Sequence, residues 1–201
     1  MDTARIGIAG FMGAGKSTCA RYLSETCGTS LGAAALIIDA DAEAKLLIQN
    51  DKAIKTKLVE TFGAAIISRD VIINPALGEA AFKSMENLKA LNGIVHPALV
   101  KRLEERAFSN VGRRLIFDAA LIPLWHIEKW FDVLVWIRAS FEKRYERLKN
   151  KTGLPAETIK TRMELQQALF DEPKRAPWNI IVNQGSPEEL KIKLRSCKFT
   201  D

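Results

Sequence analysis

The segment from Ile6 to Ser17 constrains this chain more than any other. Ile6-Gly-Ile-Ala9 is a short apolar run suited to a buried parallel strand, and Gly10-Phe-Met-Gly-Ala-Gly-Lys-Ser17 follows it directly. The octet fits G-x-x-x-x-G-K-[ST], the phosphate-cradling P-loop. Behind it, Cys19, Ala20 and Leu23 are spaced to bury one face of a helix. Strand, glycine-rich loop and helix form the context that this motif requires. Its glycines, Gly10, Gly13 and Gly15, open backbone angles closed to other residues, so that successive amides can form an anion nest running into a helix N-terminus. Lys16 is then expected to reach the β- and γ-phosphates of a nucleoside triphosphate, and Ser17 to ligate Mg²⁺.

Further strands are expected at Leu36–Ile38, Leu115–Phe117, Val133–Ile137 and Ile180–Val182, with helical stretches between them. This alternation predicts an α/β fold with a parallel sheet covered by helices on both faces. Proline at a first helical position marks starts at Asn74-Pro75 and His96-Pro97, and Ser186-Pro-Glu-Glu189 reads as a capping box. More than seventy residues separate Ile38 from Leu115, and Ala42–Ile48, Ile54–Phe62, Leu77–Leu91 and Ala98–Phe108 read as consecutive helices. A single crossover needs far less chain. The expectation is a helical insertion over about 41–110, standing at the sheet edge where ligands of open α/β sheets bind. The strand-free, highly charged segment 147–175 is expected to be a lid that excludes water from a transfer reaction. The nucleotide core then comprises about 1–40, 111–146 and 176–201 of one domain.

The net charge of +6 suits a polyanionic small molecule, and the absence of an aromatic-interleaved basic stripe argues against nucleic acid. No apolar run approaches the ~20 residues needed to span a bilayer, and no secretory signal pattern opens the chain, so a cytoplasmic enzyme is the expectation. Cys19, Cys27 and Cys197 lack metal-binding spacing and read as plain thiols.

Several residues could carry chemistry. Asp39 and Asp41 follow the second strand, where a carboxylate can take a proton from an attacking hydroxyl or cap the next helix. Asp118 ends the third strand, a position for holding Mg²⁺ or simply for turning the chain. His96 and His126 stand alone. Arg144, Arg147, Arg162, Lys174 and Arg175 are candidate cations for phosphate. Asn183-Gln-Gly185 follows the last strand, where a loop can meet a nucleotide base.

Taken in order, the P-loop, Ile38-Asp-Ala-Asp41, Phe62-Gly63, Leu91-Asn-Gly-Ile-Val-His96-Pro97, Arg162-Met-Glu-Leu-Gln166 and Ile181-Val-Asn183-Gln-Gly185 resemble the dephospho-CoA kinase family over nearly the whole chain. The resemblance implies a P-loop kinase fold with a five-stranded parallel sheet, a helical acceptor domain and a lid. It implies transfer of the γ-phosphate of ATP to the ribose 3′-hydroxyl of dephospho-CoA, with Mg²⁺. Asp41 maps onto the family's base, and Lys16 and Arg147 join it as catalytic residues. Gly13, Ala14, Gly15, Lys16, Ser17 and Thr18 are the expected phosphate contacts, with Asn183 and Gly185 nearer the base. Asp41, His96 and Arg162 are expected on the acceptor, and Ser17 and Asp118 on the metal. Lys151-Thr152 stands where the family often has arginine and aspartate, and Ala119-Ala-Leu-Ile-Pro-Leu124 replaces a glutamate-bearing segment. The octet also resembles that of shikimate kinases, which leaves a kinase of another small alcohol as an alternative, alongside a nucleotide-binding protein without transfer activity.

Overall fold

A computed structural model describes residues 4–26, 35–110 and 112–196. It divides into two compact units, one made of 1–39 and 106–201, the other of 40–105.

The first unit is built on a five-stranded sheet. Its strands are β1 (Arg5–Ala9), β2 (Leu36–Asp39), β5 (Leu115–Asp118), β6 (Val133–Arg138) and β7 (Trp178–Val182), ordered β2-β5-β1-β6-β7. Every pair is parallel. All five expected strands are present. The alternation along β1 explains how the layers form. Ile6 and Ile8 point to one face, where they are buried with Cys19, Ala20 and Leu23 of α1 (Lys16–Thr26) and Leu190 and Leu194 of α9 (Pro187–Ser196). Gly7 points to the other face, where a β-carbon would lie 2.9 Å from the Phe131 ring. That face is aromatic: Trp136 meets Phe11, Phe170 and Trp178 edge to face. Two helices, α7 (Phe141–Thr152) and α8 (Ala156–Leu169), pack together in this unit. They carry most of the expected lid, which forms no compact unit of its own. Arg138 of β6 holds the chain after α8 through Glu172 at 2.6 Å. The short helix α6 (Ile122–Trp125) follows β5.

The second unit comprises α2 (Ala40–Asn50), α3 (Lys52–Phe62), a hairpin of β3 (Ile67–Ser68) and β4 (Val71–Ile72), α4 (Asn74–Ala81) and most of α5 (Met85–Ser109). The unit ends at 105, within α5, which runs on unbroken to Ser109. Its buried residues include Ile54, Leu58, Ile66, Ile72, Leu77, Val95, Leu99 and Leu103. Gln49 of α2 makes a two-way bond to the backbone of Ile72, acting as a short extra strand on β4. Glu43 of α2 is buried against Arg102 of α5.

Three local expectations differ from the structure. His96-Pro97 starts no helix, because Pro97 lies inside α5. A helical proline removes one amide from the helix ladder and crowds the carbonyl four residues earlier, here that of Gly93, yet α5 continues through it. The expected helix at Leu77–Leu91 is two helices, broken after Ala81. The hairpin stands where no strand is expected: Arg69 and Asp70 both take positive φ (48° and 60°), as a two-residue turn demands, without the glycine that usually signals one. Lys55 fixes it by bonding the Asp70 carbonyl and carboxylate. Among the described residues no helix is long and apolar enough to cross a membrane. Cys19 is buried; Cys27 and Cys197 lie outside the described residues.

Candidate active site

The phosphate loop leaves the C-terminal end of β1 and enters α1 at Lys16. Its turn is closed by the Ala14 amide donating to the Phe11 carbonyl at 3.1 Å, and the Gly15 carbonyl accepts from the Cys19 amide at 3.1 Å. Gly13 takes φ 77°, and a β-carbon there would stand 2.7 Å from the Arg144 carbonyl oxygen. The loop is therefore pressed against the start of α7 and admits only glycine at this point. The first amides of α1 have no partner within the helix, which leaves them for an anion.

Ser17 Oγ donates to Asp118 Oδ2 at 2.7 Å. The two residues expected at the metal are thus in contact, joining α1 to the end of β5. Asp118 is buried, and in the sheet register it stands opposite Asp39 at the end of β2. A hydroxyl and a carboxylate are hard oxygen donors that suit Mg²⁺. Among the described residues no group of three or more His, Cys, Asp or Glu side chains could hold a metal. An ion on Ser17 and Asp118 would therefore complete its shell with phosphate and water oxygens, as Mg²⁺ commonly does.

The helices α7 and α8 are fastened to the loop. Gln166 of α8 accepts a bond from the Met12 amide at 2.7 Å. Arg162 lies one turn earlier on the same helix, so it shares that face. Arg144 of α7 is 2% exposed; its guanidinium lies over the rings of Phe11 and Phe141 and donates to Gln167. Burial lowers its pKa from the ordinary arginine value, against the pull of Glu172 and Glu142. Arg147, expected among the catalytic residues, donates to the carbonyls of Gly13, Ala14, Asn183 and Gly185. Its pKa is also lowered by burial, with Glu146 opposing. Asn183 is buried, and its Nδ2 donates to the Ala14 carbonyl at 2.7 Å. Sequence reasoning gives Gln166 no role beyond closing a motif, and it lists Arg144 only among several cations.

Asp41 and His96 belong to the other unit. Asp41 is exposed in the first turn of α2, two residues after β2 ends. Burial in α5 pushes the His96 pKa down to about 4, so its ring is neutral at pH 7. His126 ends α6 in a left-handed conformation.

The family model of the dephospho-CoA kinases matches residues 4–189. A dephospho-CoA kinase of Dehalococcoides mccartyi is 34% identical over 200 residues, covering 96% of this chain and 92% of the relative. One from Thermobifida fusca is 30% identical over 193 residues, covering 94% and 92%. Among solved structures, a Thermus thermophilus protein superposes with a TM-score of 0.71 at 28% identity, covering 98% of this chain and 96% of that one. The Campylobacter jejuni dephospho-CoA kinase gives 0.56 at 20% identity, covering 95% and 93%, and supports the fold. A loop built for phosphate, a sheet ordered for a P-loop kinase and a match over nearly the full length lead to one assignment: the chain belongs to the dephospho-CoA kinase family.

Proposed function

We propose that Asp41 is the general base for transfer of the γ-phosphoryl group of ATP to the ribose 3′-hydroxyl of dephospho-CoA. The family membership makes the chain an ATP-dependent kinase of coenzyme A biosynthesis. The observation that supports the site reading is the Ser17–Asp118 contact at the mouth of the phosphate loop. It gathers the loop, the metal-suited oxygens and the end of β2 at one edge of the sheet. Asp41 follows that strand end by two residues.

In this reading, the amides of Gly13 to Thr18 hold the phosphates and Lys16 neutralises charge on the β- and γ-oxygens. Ser17 and Asp118 would hold Mg²⁺, which when bound would supply electrostatic stabilisation of the transferring group. The 3′-oxygen forms its bond to the γ-phosphorus, the bond to the β–γ bridging oxygen breaks, and the hydroxyl proton passes to Asp41. His96, neutral at pH 7, and Arg162 serve the acceptor. Asn183 and Gly185 line the path towards the base. The family match over 4–189 weighs against the shikimate-kinase-like alternative.

The test is Asp41→Asn, assayed with dephospho-CoA and with ATP titrated separately. Turnover should fall by about 100-fold or more with ATP affinity nearly unchanged. Full activity in that variant refutes the base assignment.

A further inference from the structure

The guanidinium of Arg147 bonds to protein oxygens on two sides. Its Nη1 donates to the carbonyl oxygens of Gly13 at 3.3 Å and Ala14 at 3.2 Å. Its Nη2 donates to the carbonyl and the Oδ1 of Asn183, at 3.2 and 3.3 Å, and to the carbonyl of Gly185 at 2.9 Å. These five oxygens belong to two separate loops. Gly13 and Ala14 lie in the phosphate loop after β1; Asn183 and Gly185 lie in the turn between β7 and α9. Asn183 closes the arrangement from its own side through Nδ2 to the Ala14 carbonyl at 2.7 Å.

We propose that Arg147 is a positioning residue that fastens the phosphate loop to the β7–α9 turn, so that a nucleotide meets both at a preset spacing. Two physical effects follow. First, a bound nucleotide need not order the two loops itself, which lowers the entropy cost of binding. Second, the cation sits on the carbonyl side of the phosphate loop. The Ala14 carbonyl and the Gly15 amide share one peptide unit, so charge placed on the oxygen polarises the amide towards an anion. A guanidinium suits this work because its planar fork presents five donors in fixed directions; an ammonium offers three on a compact centre and cannot span the same set of oxygens. To reach the transferring phosphoryl group, Arg147 would have to give up these bonds.

The fastening role rests on the nucleotide reading of the phosphate loop, and it separates from the identity of the acceptor. Isothermal titration of ADP and of ATP with Mg²⁺ needs no acceptor. Arg147→Met should raise the Kd of both nucleotides by the same factor, about tenfold or more. Arg147→Lys, which keeps the charge and most of the stem, should fall between wild type and Met. Asn183→Ala, which removes the bond to Ala14 and one acceptor of Arg147, should repeat the pattern more weakly. With dephospho-CoA as acceptor, the loss in Arg147→Lys should fall mainly on the KM for ATP, with a smaller change in kcat. Three results overturn the proposal: unchanged ADP affinity, a loss for ATP that ADP does not share, or a kcat about 100-fold lower at unchanged affinity, which is the signature of a cation on the transition state. A wild type that binds ADP but leaves dephospho-CoA unphosphorylated would refute the acceptor assignment and leave the ADP titration as a test of Arg147.

Discussion

Replacing Gly13 by alanine probes the contact between the phosphate loop and α7. The residue takes φ 77°, and the added β-carbon would stand 2.7 Å from the Arg144 carbonyl oxygen and 3.1 Å from its Cα. Both neighbours are backbone in the first turns of a helix, so neither can rotate away. The left-handed backbone alone costs a non-glycine residue about 1–2 kcal/mol. Overpacking against fixed atoms adds about 1–3 kcal/mol. A natural control is Gly153 at the end of α7: it takes φ 65°, and a β-carbon added there would meet nothing within 4 Å. Gly153→Ala should therefore carry the backbone cost without the collision. For a chain of this size 1 kcal/mol is about 2–4 °C in Tm. With the backbone cost taken at about 1 kcal/mol and overpacking at about 2 kcal/mol, Gly13→Ala should melt roughly 6–12 °C below wild type, against about 2–4 °C for Gly153→Ala. The assay is thermal unfolding followed by circular dichroism, paired with ADP titration. Gly13→Ala should lose ADP affinity and Gly153→Ala should keep it. Equal melting shifts together with wild-type ADP binding by Gly13→Ala would refute the packing argument.

Two further outcomes follow from the site. Ser17→Ala removes the hydroxyl that contacts Asp118; in a steady-state assay the Mg²⁺ needed for half-maximal rate should rise about tenfold while the melting temperature changes little. An unchanged Mg²⁺ requirement would remove Ser17 from the metal. His96 has its pKa pushed down to about 4 by burial, so the unfolded chain binds its proton first as pH falls. Stability should drop between pH 6.5 and about 4, by up to about 3 kcal/mol from this residue. Urea unfolding at pH 7 and pH 4.5 should show a smaller drop for His96→Gln; parallel pH dependence in the two proteins would contradict the burial effect.

The nucleotide half of this protein was legible because its signals are local. A strand, a glycine pattern and a helix face lie within Ile6 to Leu23, and each of the five strands contains a short apolar run. The capping box at Ser186 formed as its spacing implied: Ser186 Oγ accepts from the Glu189 amide, and the Glu189 carboxylate accepts from the Ser186 amide. The contact between Ser17 and Asp118 joins residues 101 apart in sequence, yet each was visible through its place at an element end. What was hidden depends on tertiary placement. A proline after histidine is a good helix start by local rules, but Pro97 lies inside α5, which begins at Met85. The Arg69-Asp70 turn lacks glycine, and its support comes from Lys55 on another element. Arg147 was recognisable as a cation near phosphate; that its bonds go to carbonyls 134 and 38 residues away could not be read from charge. Gln166, a neutral side chain in a charged helix, carried no signal of its own beyond its motif.

On this reading a ribose 3′-hydroxyl receives the phosphoryl group. Incubation of the protein with ATP, Mg²⁺ and dephospho-CoA, followed by phosphorus NMR of the purified product, tests it most directly. The expected result is a new phosphomonoester signal coupled to the ribose H3′ proton, appearing in step with ADP. ADP accompanied only by inorganic phosphate, or a phosphoryl group on any other hydroxyl, would contradict it.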